Sequence, residues 1–303
     1  MNRLLRHLGR EFVIGVPFTW LVVFFLCPFL ILAYISFVDM GNDITPFKPI
    51  WDSATGLLHL KYENYSSIFR SEGGALFDTL YLDAYVRALK YALATASLCL
   101  LIGYPFAYFI ARARASVRPA LLMMVMLPFW TSFLLRVYAW KGILADQGVL
   151  NQLLMALGVT SEPIQLLYTN VSMLVGMTYV YLPFMVLPLY ANLVKMDYSL
   201  LEAAYDLGAT PWKAFWLVTV PLSRAGIVAG FMLVFIPAVG EFVTPSLLGG
   251  PENLMIGRVV WDEMFTANNW PRASALAVVM IALVIVPLAL YYRSQAKPAA
   301  ART

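Results

Sequence analysis

Six stretches dominated by apolar residues run along the chain, near Val13 to Phe37, Tyr91 to Ile110, Leu121 to Tyr138, Val171 to Val194, Ile227 to Leu247 and Ala273 to Tyr292. About 20 residues at 1.5 Å each cover a hydrocarbon core about 30 Å thick, so each stretch predicts a membrane-spanning helix. The third has the least defined end, because Arg136 stands there, and Glu241 interrupts the fifth. Each contains proline: Pro17 and Pro28, Pro105, Pro128, Pro183 and Pro188, Pro237 and Pro245, and Pro287. Proline in a spanning helix frees a carbonyl that a neighbour must satisfy, which favours bent helices packed together. The predicted fold is all-α: a polytopic membrane helical bundle of six transmembrane helices, one domain over residues 1–303.

The polar inserts are patterned too. Between the fourth and fifth stretches, over residues 195–224, Ser199-Leu200-Leu201-Glu202 reads as a capping box that starts a helix at Ser199. Gly208 can take the left-handed conformation that ends it, Thr210 can cap a second helix, Pro211 suits that helix's first position, and Pro221 is expected to close it. The result is a helix-turn-helix knuckle with Glu202 and Asp206 on one face, suited to another protein's cleft. The plainer alternative makes Glu202 only a capping carboxylate and Gly208 only a helix stop. The largest loop, residues 38–90, carries Asp39, Asp43, Asp52, Glu63, Glu72, Asp78 and Asp83, and its Asn64-Tyr65-Ser66 also satisfies a glycosylation sequon. From Gly148 to Leu154, and on through Leu157 and Gly158, leucines at helical spacing predict a short amphipathic helix on the outer surface.

Composition agrees with the pattern. With 61% hydrophobic and 13% charged residues, and a mean hydropathy of +0.74, the chain belongs in a membrane. Placing both termini, the second-to-third connection and the fourth-to-fifth connection on one side collects 12 of the 21 basic residues with four acids, among them Glu11, Asp197, Glu202 and Asp206. The other side holds the remaining nine basic and 13 acidic residues. The positive-inside rule then makes both termini and the Glu202 knuckle cytoplasmic, and it accounts for the net charge of +4 without a nucleic-acid partner. The first stretch follows Arg3, Arg6 and Arg10 and lacks a small-x-small cleavage site, so it reads as a retained signal anchor. Cys27 and Cys99 lie in apolar stretches and imply neither a disulfide nor a metal site.

Candidate pathway chemistry begins with Glu241, in Ile236-Pro237-Ala238-Val239-Gly240-Glu241-Phe242. Counted from Arg224 at the cytoplasmic face it lies about 26 Å along, in the outer part of the core. An acid there needs water, a cation or a partner, and the flanking proline and glycine would let the helix unwind around a cavity. The alternative is a carboxylate at a solvated helix end. Trp130, Tyr179 and Tyr181 fall near mid-membrane, where an ammonium over an aromatic ring gains about 0.5–2 kcal/mol. The alternative for each ring is ordinary packing or lipid contact.

The knuckle resembles the EAA loop of permease subunits of binding-protein-dependent ABC importers. Glu202, Ala203, Ala204, Gly208, Val218, Val220 and Pro221 fill its places, with Asp206 on the same face as Glu202. Over nearly the whole length the chain is similar to the polyamine branch, putrescine and spermidine permeases above all. That likeness rests on Leu127 to Trp140, Tyr181 to Pro188, Ile236 to Phe242 and Leu247-Leu248-Gly249-Gly250-Pro251. Lys61-Tyr62-Glu63-Asn64-Tyr65 also looks like a stretch that such permeases carry before the second helix. The resemblance implies a bacterial inner-membrane transport subunit that forms the translocation pathway for putrescine or spermidine. It also implies cytoplasmic ABC ATPase subunits carrying ATP and Mg, a second and different permease subunit, and an external substrate-binding protein. The chain contains no Gly-x-x-x-x-Gly-Lys-Ser/Thr phosphate loop, and His7 and His59 are its two histidines, so neither ATP hydrolysis nor membrane catalysis is expected of it. A permease for another small solute, and an ion-coupled secondary transporter, remain the alternatives.

Overall fold

Pattern and structure agree first on helix. The computed structural model describes residues 13–41, 45–51, 60–69 and 79–300, which are mostly helical, with an isolated antiparallel bridge between Met40 and Phe47. The N-terminal arginines, Glu11, His7 and His59, Arg302, and the loop acids Asp43, Asp52, Glu72 and Asp78 lie outside the described residues.

Three described helices are long and apolar enough to cross a membrane: α1 (Val13–Ile35), α3 (Thr79–Arg112, apolar from Leu80) and α7 (Asn170–Leu193). The short α2 (Glu63–Ser66) precedes the second of these. Two further apolar paths are bent rather than straight. The pair α4 (Arg118–Trp130) and α5 (Phe133–Leu144), extended by α6 (Val149–Ala156), turns through 87°. After α8 (Ser199–Asp206), the pair α9 (Pro211–Leu222) and α10 (Arg224–Val239) turns through 66°. Beyond α11 (Val243–Leu248) and α12 (Ile256–Trp261), α13 (Trp270–Ala300) contains a shorter apolar stretch, Trp270–Ile285.

Each departure from a straight span has a local cause. At the first bend Thr131 and Ser132 are extended, at ψ 153 and 137, just beyond Pro128. The fifth apolar stretch stops at Gly240, where Glu241 begins a separate turn into α11. The widened π turns Val22–Leu26 and Phe215–Thr219 each end two residues before a proline, Pro28 and Pro221. A proline ring crowds the carbonyl four residues back and offers it no donor, and a wider preceding turn relieves that conflict. Pro221 stands in the last turn of its helix, which closes one residue later at Leu222 and breaks at Ser223. The second span also begins 12 residues earlier than expected. Asp83, Arg87 and Lys90 remove the apolar run, yet Tyr81, Ala84, Tyr85, Ala88 and Ala92 bury one helical face.

The chain divides into two compact units, Met1–Leu82 with Val259–Thr303, and Asp83–Arg258. In the first, the Asn64-Tyr65 stretch staples the end of α1. Asn64 Nδ2 donates to the carbonyls of Ser36 and Val38, both at 2.9 Å, and the hydroxyls of Tyr65 and Ser36 lie 2.7 Å apart. These bonds satisfy carbonyls that a helix end leaves open. They also bury Asn64, which removes the side chain that a glycosylated sequon must present.

The second unit is held by close approach of small residues. Ala88, Ala92, Ala96, Cys99, Gly103 and Ala107 form a stripe along α3. A Cβ on Gly103 would stand 3.2 Å from Met185 of α7. Gly226 and Gly230, one turn apart on α10, lie against α7 so tightly that added Cβ atoms would stand 2.7 Å from Asn192 Cβ and 2.8 Å from Met185 Sδ. Without a hydrophobic driving force in lipid, such small-residue contacts let van der Waals packing hold helices together. Cys99, buried here, and Cys27 are free thiols.

Candidate functional site

The knuckle is assembled by short-range backbone chemistry. Asp197, rather than the expected Ser199–Glu202 box, caps α8: its Oδ1 accepts the Ser199 N–H at 3.0 Å. The side chain of Ser199 makes no capping bond. The backbone and side-chain hydrogen bonds from Ser199 hold the Asp197 carboxyl below its ordinary pKa. Gly208 has φ +80°, as its turn requires. Its N–H donates to Tyr205 O at 2.9 Å, and that of Ala209 donates to Ala204 O at 3.0 Å, a Schellman closure of the helix. Thr210 Oγ1 then accepts the Lys213 N–H at 3.4 Å, and Pro211 opens α9.

Three aromatic contacts seat the knuckle on α3. The Phe215 ring meets Tyr104 and Tyr108 edge-on at 5.5 and 5.6 Å, and Tyr198 Oη donates to Ala111 O at 3.3 Å. Tyr104 Oη and Ser223 Oγ lie 2.8 Å apart at the bend that follows. The opposite surface is open. Glu202, Ala203 and Asp206 are exposed, Ala204 is half-buried, and Leu207 at 89% and Trp212 at 71% project beside them. Pro221 is exposed at the far end of α9. Exposed carboxylates beside large exposed apolar groups suit a protein interface better than water.

The pathway candidates do not gather as one group. Tyr181 and Glu241 meet: Tyr181 Oη donates to Glu241 Oε2 at 2.5 Å. Glu241 Oε1 accepts the N–H groups of Val243 and Thr244 at 3.1 and 3.2 Å, so the carboxylate also caps α11. Tyr179 points elsewhere, because residues two apart on a helix face nearly opposite ways. Its ring packs edge-on against Trp140 at 5.5 Å. Trp130 is 77% exposed at the end of α4, beside the break.

Three residues not proposed from the pattern extend the Tyr181 end. Phe184 lies 6.2 Å from Tyr181, Phe129 packs edge-on to Phe184 at 5.1 Å, and the Arg136 guanidinium sits 4.9 Å from the Phe129 centroid. The three-residue step from Tyr181 to Phe184 was legible as one helix face; the reach to Phe129 required the fold. A half-buried carboxylate beside aromatic faces is chemistry for an organic cation. Among the described residues no cluster of His, Cys, Asp and Glu could hold a metal ion.

Residues 91–298 match the family described as binding-protein-dependent transport system inner membrane component. The chain is 36% identical over 293 residues to the spermidine/putrescine transport system permease protein PotB of Haemophilus influenzae, covering 96% of each. It is likewise 36% identical over 275 residues to PotB of Escherichia coli, covering 91% of this chain and 94% of that one. A solved bacterial ABC transporter involved in the import of the acidic polysaccharide alginate superposes with a TM-score of 0.63 at 19% identity, covering 96% of this chain and 99% of that chain. That structural likeness speaks for the fold alone. The matched family and the near full-length relatives lead to one conclusion: this chain is a member of the binding-protein-dependent transport system inner membrane component family, a transport subunit of the ABC importer permease kind.

Proposed function

We propose that the chain forms part of the translocation pathway for polyamines, putrescine or spermidine, in an importer driven by ATP hydrolysis on separate subunits. The observation that carries the substrate class is the 36% identity, over 96% of both chains, to a spermidine/putrescine permease. The Tyr181–Glu241 pair supplies matching chemistry. A primary ammonium offers three donors, and Glu241 Oε2 is held by a hydroxyl that an ammonium can displace. The Tyr181 ring stands next to that position with Phe184 6.2 Å from it, and the two rings can bear the charge and the methylene stem.

The membrane passages are six, counting each bent pair as one and α13 as the last, with both termini cytoplasmic. Glu202, Ala203, Ala204, Asp206 and Gly208, with Pro221 at the end of the arm, receive the cytoplasmic ATPases. ATP binds with Mg on those subunits. Their closure moves the knuckle, and the contacts of Phe215 and Tyr198 with α3 pass that displacement into the bundle. A different permease subunit completes the pathway, and an external binding protein delivers the amine.

The test is uptake of labelled putrescine and spermidine by cells holding the complete system, the system without its ATPases, or the system without this chain. Uptake that needs both this chain and the ATPases is expected. Full uptake without the ATPases would instead favour an ion-coupled transporter. Failure of the complete system to move either amine would overturn the substrate assignment.

A further inference from the structure

Arg136 is a charge without a counter-charge. It lies in the first turns of α5 and is 9% exposed, and its Nε and Nη1 are enclosed with no hydrogen-bond acceptor. The guanidinium rests over Phe129 at 4.9 Å and Phe133 at 5.9 Å. Those rings offset only part of the cost of taking an ion out of water, and an arginine does not escape by losing its proton. Among the described residues Lys61 pairs with Asp39 and Glu63, and no acid is paired with Arg136. Glu241, the acid that interrupts the fifth apolar stretch, is committed to Tyr181, Val243 and Thr244.

The surroundings narrow what can answer it. Nη2 is the guanidinium nitrogen that is not enclosed. Trp130, Leu134, Leu135 and Tyr138 on the same segment are exposed, whereas Arg136 is not. The side chain folds back over Phe133 and Phe129, toward the Thr131–Ser132 break and away from the end of α5, where the chain leaves for α6. A snorkelling arginine reaches for the nearest headgroups, whereas this one is turned into the bend.

We propose that Arg136 receives a carboxylate from a spanning segment of the second permease subunit, and that this ion pair fixes how the two subunits meet. The inference rests on the proposed pairing of two different permeases. The carboxylate approaches the open Nη2 edge, while Phe129 and Phe133 hold the guanidinium plane and limit its rotation. Arginine suits the role because its charge is permanent and Nη2 still offers donors to a carboxylate.

The experiment uses the complete importer in native membranes, with this chain tagged, and measures how much second permease is recovered with it. R136M removes the charge at similar bulk, R136K keeps it, and R136E reverses it. Recovery is expected to fall at least tenfold with R136M and R136E, and to stay within about threefold of native with R136K. The membrane abundance of this chain alone serves as the folding control. If R136M is not retained in the membrane, the R136K and R136E arms carry the test, followed by selection for restored transport from R136E. Suppressors that convert an acid in a spanning segment of the second permease to a neutral or basic residue support the pair. R136M that assembles and transports like native, or suppressors confined to this chain, would overturn it. Recovery that follows the anionic-lipid content and not the partner's acids would assign the anion to a lipid phosphate, also overturning it. A second permease absent even from the native preparation would refute the pairing itself.

Discussion

The two acidic centres of this chain, Glu202 and Glu241, are arranged in opposite ways. Glu202 stands exposed on α8, with no ion pair among the described residues and with Leu207 and Trp212 bare beside it. Glu241 is half-buried, and both its oxygens are occupied, one by two backbone N–H groups and one by Tyr181. An open carboxylate on an apolar knob is prepared for a protein that arrives from outside. An occupied carboxylate between helices keeps a negative charge satisfied until something displaces one of its donors. On the proposed function the contrast separates coupling from passage within one chain, and each half can be disturbed without the other.

The largest effect should come from the knuckle. Glu202→Ala leaves every internal bond of the chain in place, so membrane abundance should stay within twofold while uptake drops at least tenfold and the ATPases fail to co-purify. Gly208→Val should come next. A Cβ there meets nothing within 4 Å, so its cost of about 1–2 kcal/mol is the left-handed backbone alone. Uptake should fall about tenfold with ATPase retention reduced, whereas Gly158→Val, also at positive φ and with open space, should leave the ATPases bound.

Disturbing the other half should leave assembly intact. Glu241→Gln can still cap α11 through its carbonyl but offers no charge, so initial uptake at low polyamine should fall about tenfold with the ATPases still attached. Tyr181→Phe removes only the competing donor at Oε2. A change of a few-fold in apparent KM, with little change in maximal rate, is expected from concentration-dependent uptake.

The smallest effect is at Asp197. Its pKa is depressed in the folded chain, so the cap contributes stability above the ordinary carboxylate pKa of about 4 and loses it as pH falls through the lower folded value. Asp197→Asn should flatten that acid-side dependence in hydrogen exchange of Ser199 and Leu200, with little change at pH 7.

How far the sequence could be read follows from the reach of each interaction. Gly208, Thr210 and Pro211 act on backbone groups within five residues, and the turn they predict is the turn observed. The Glu202 carboxylate lost its predicted half of the box to Asp197, which takes the Ser199 N–H, and the Glu202 N–H that Ser199 was to accept bonds the Tyr198 carbonyl instead. Hydropathy places the start of α3 too late, because residues 79–90 bury a helical face without forming an apolar run. Asn64 stood out as part of a motif, but its task was hidden, since Ser36 and Val38 lie 28 and 26 residues away. Tyr181 and Glu241, 60 residues apart, were each visible and their bond was not. Tyr179 was grouped with Tyr181 by proximity in sequence, and helical geometry separates them.

Polyamine-stimulated ATP hydrolysis by the complete importer in proteoliposomes, with the binding protein present, tests the division between the two centres most directly. The account predicts that Glu202→Ala yields vesicles that keep this chain but lose the ATPase subunits and with them all hydrolysis. It predicts that Glu241→Gln keeps the ATPases and their basal hydrolysis while transport per ATP falls. Loss of the same step in both variants, or native stimulation and transport in either, would contradict it.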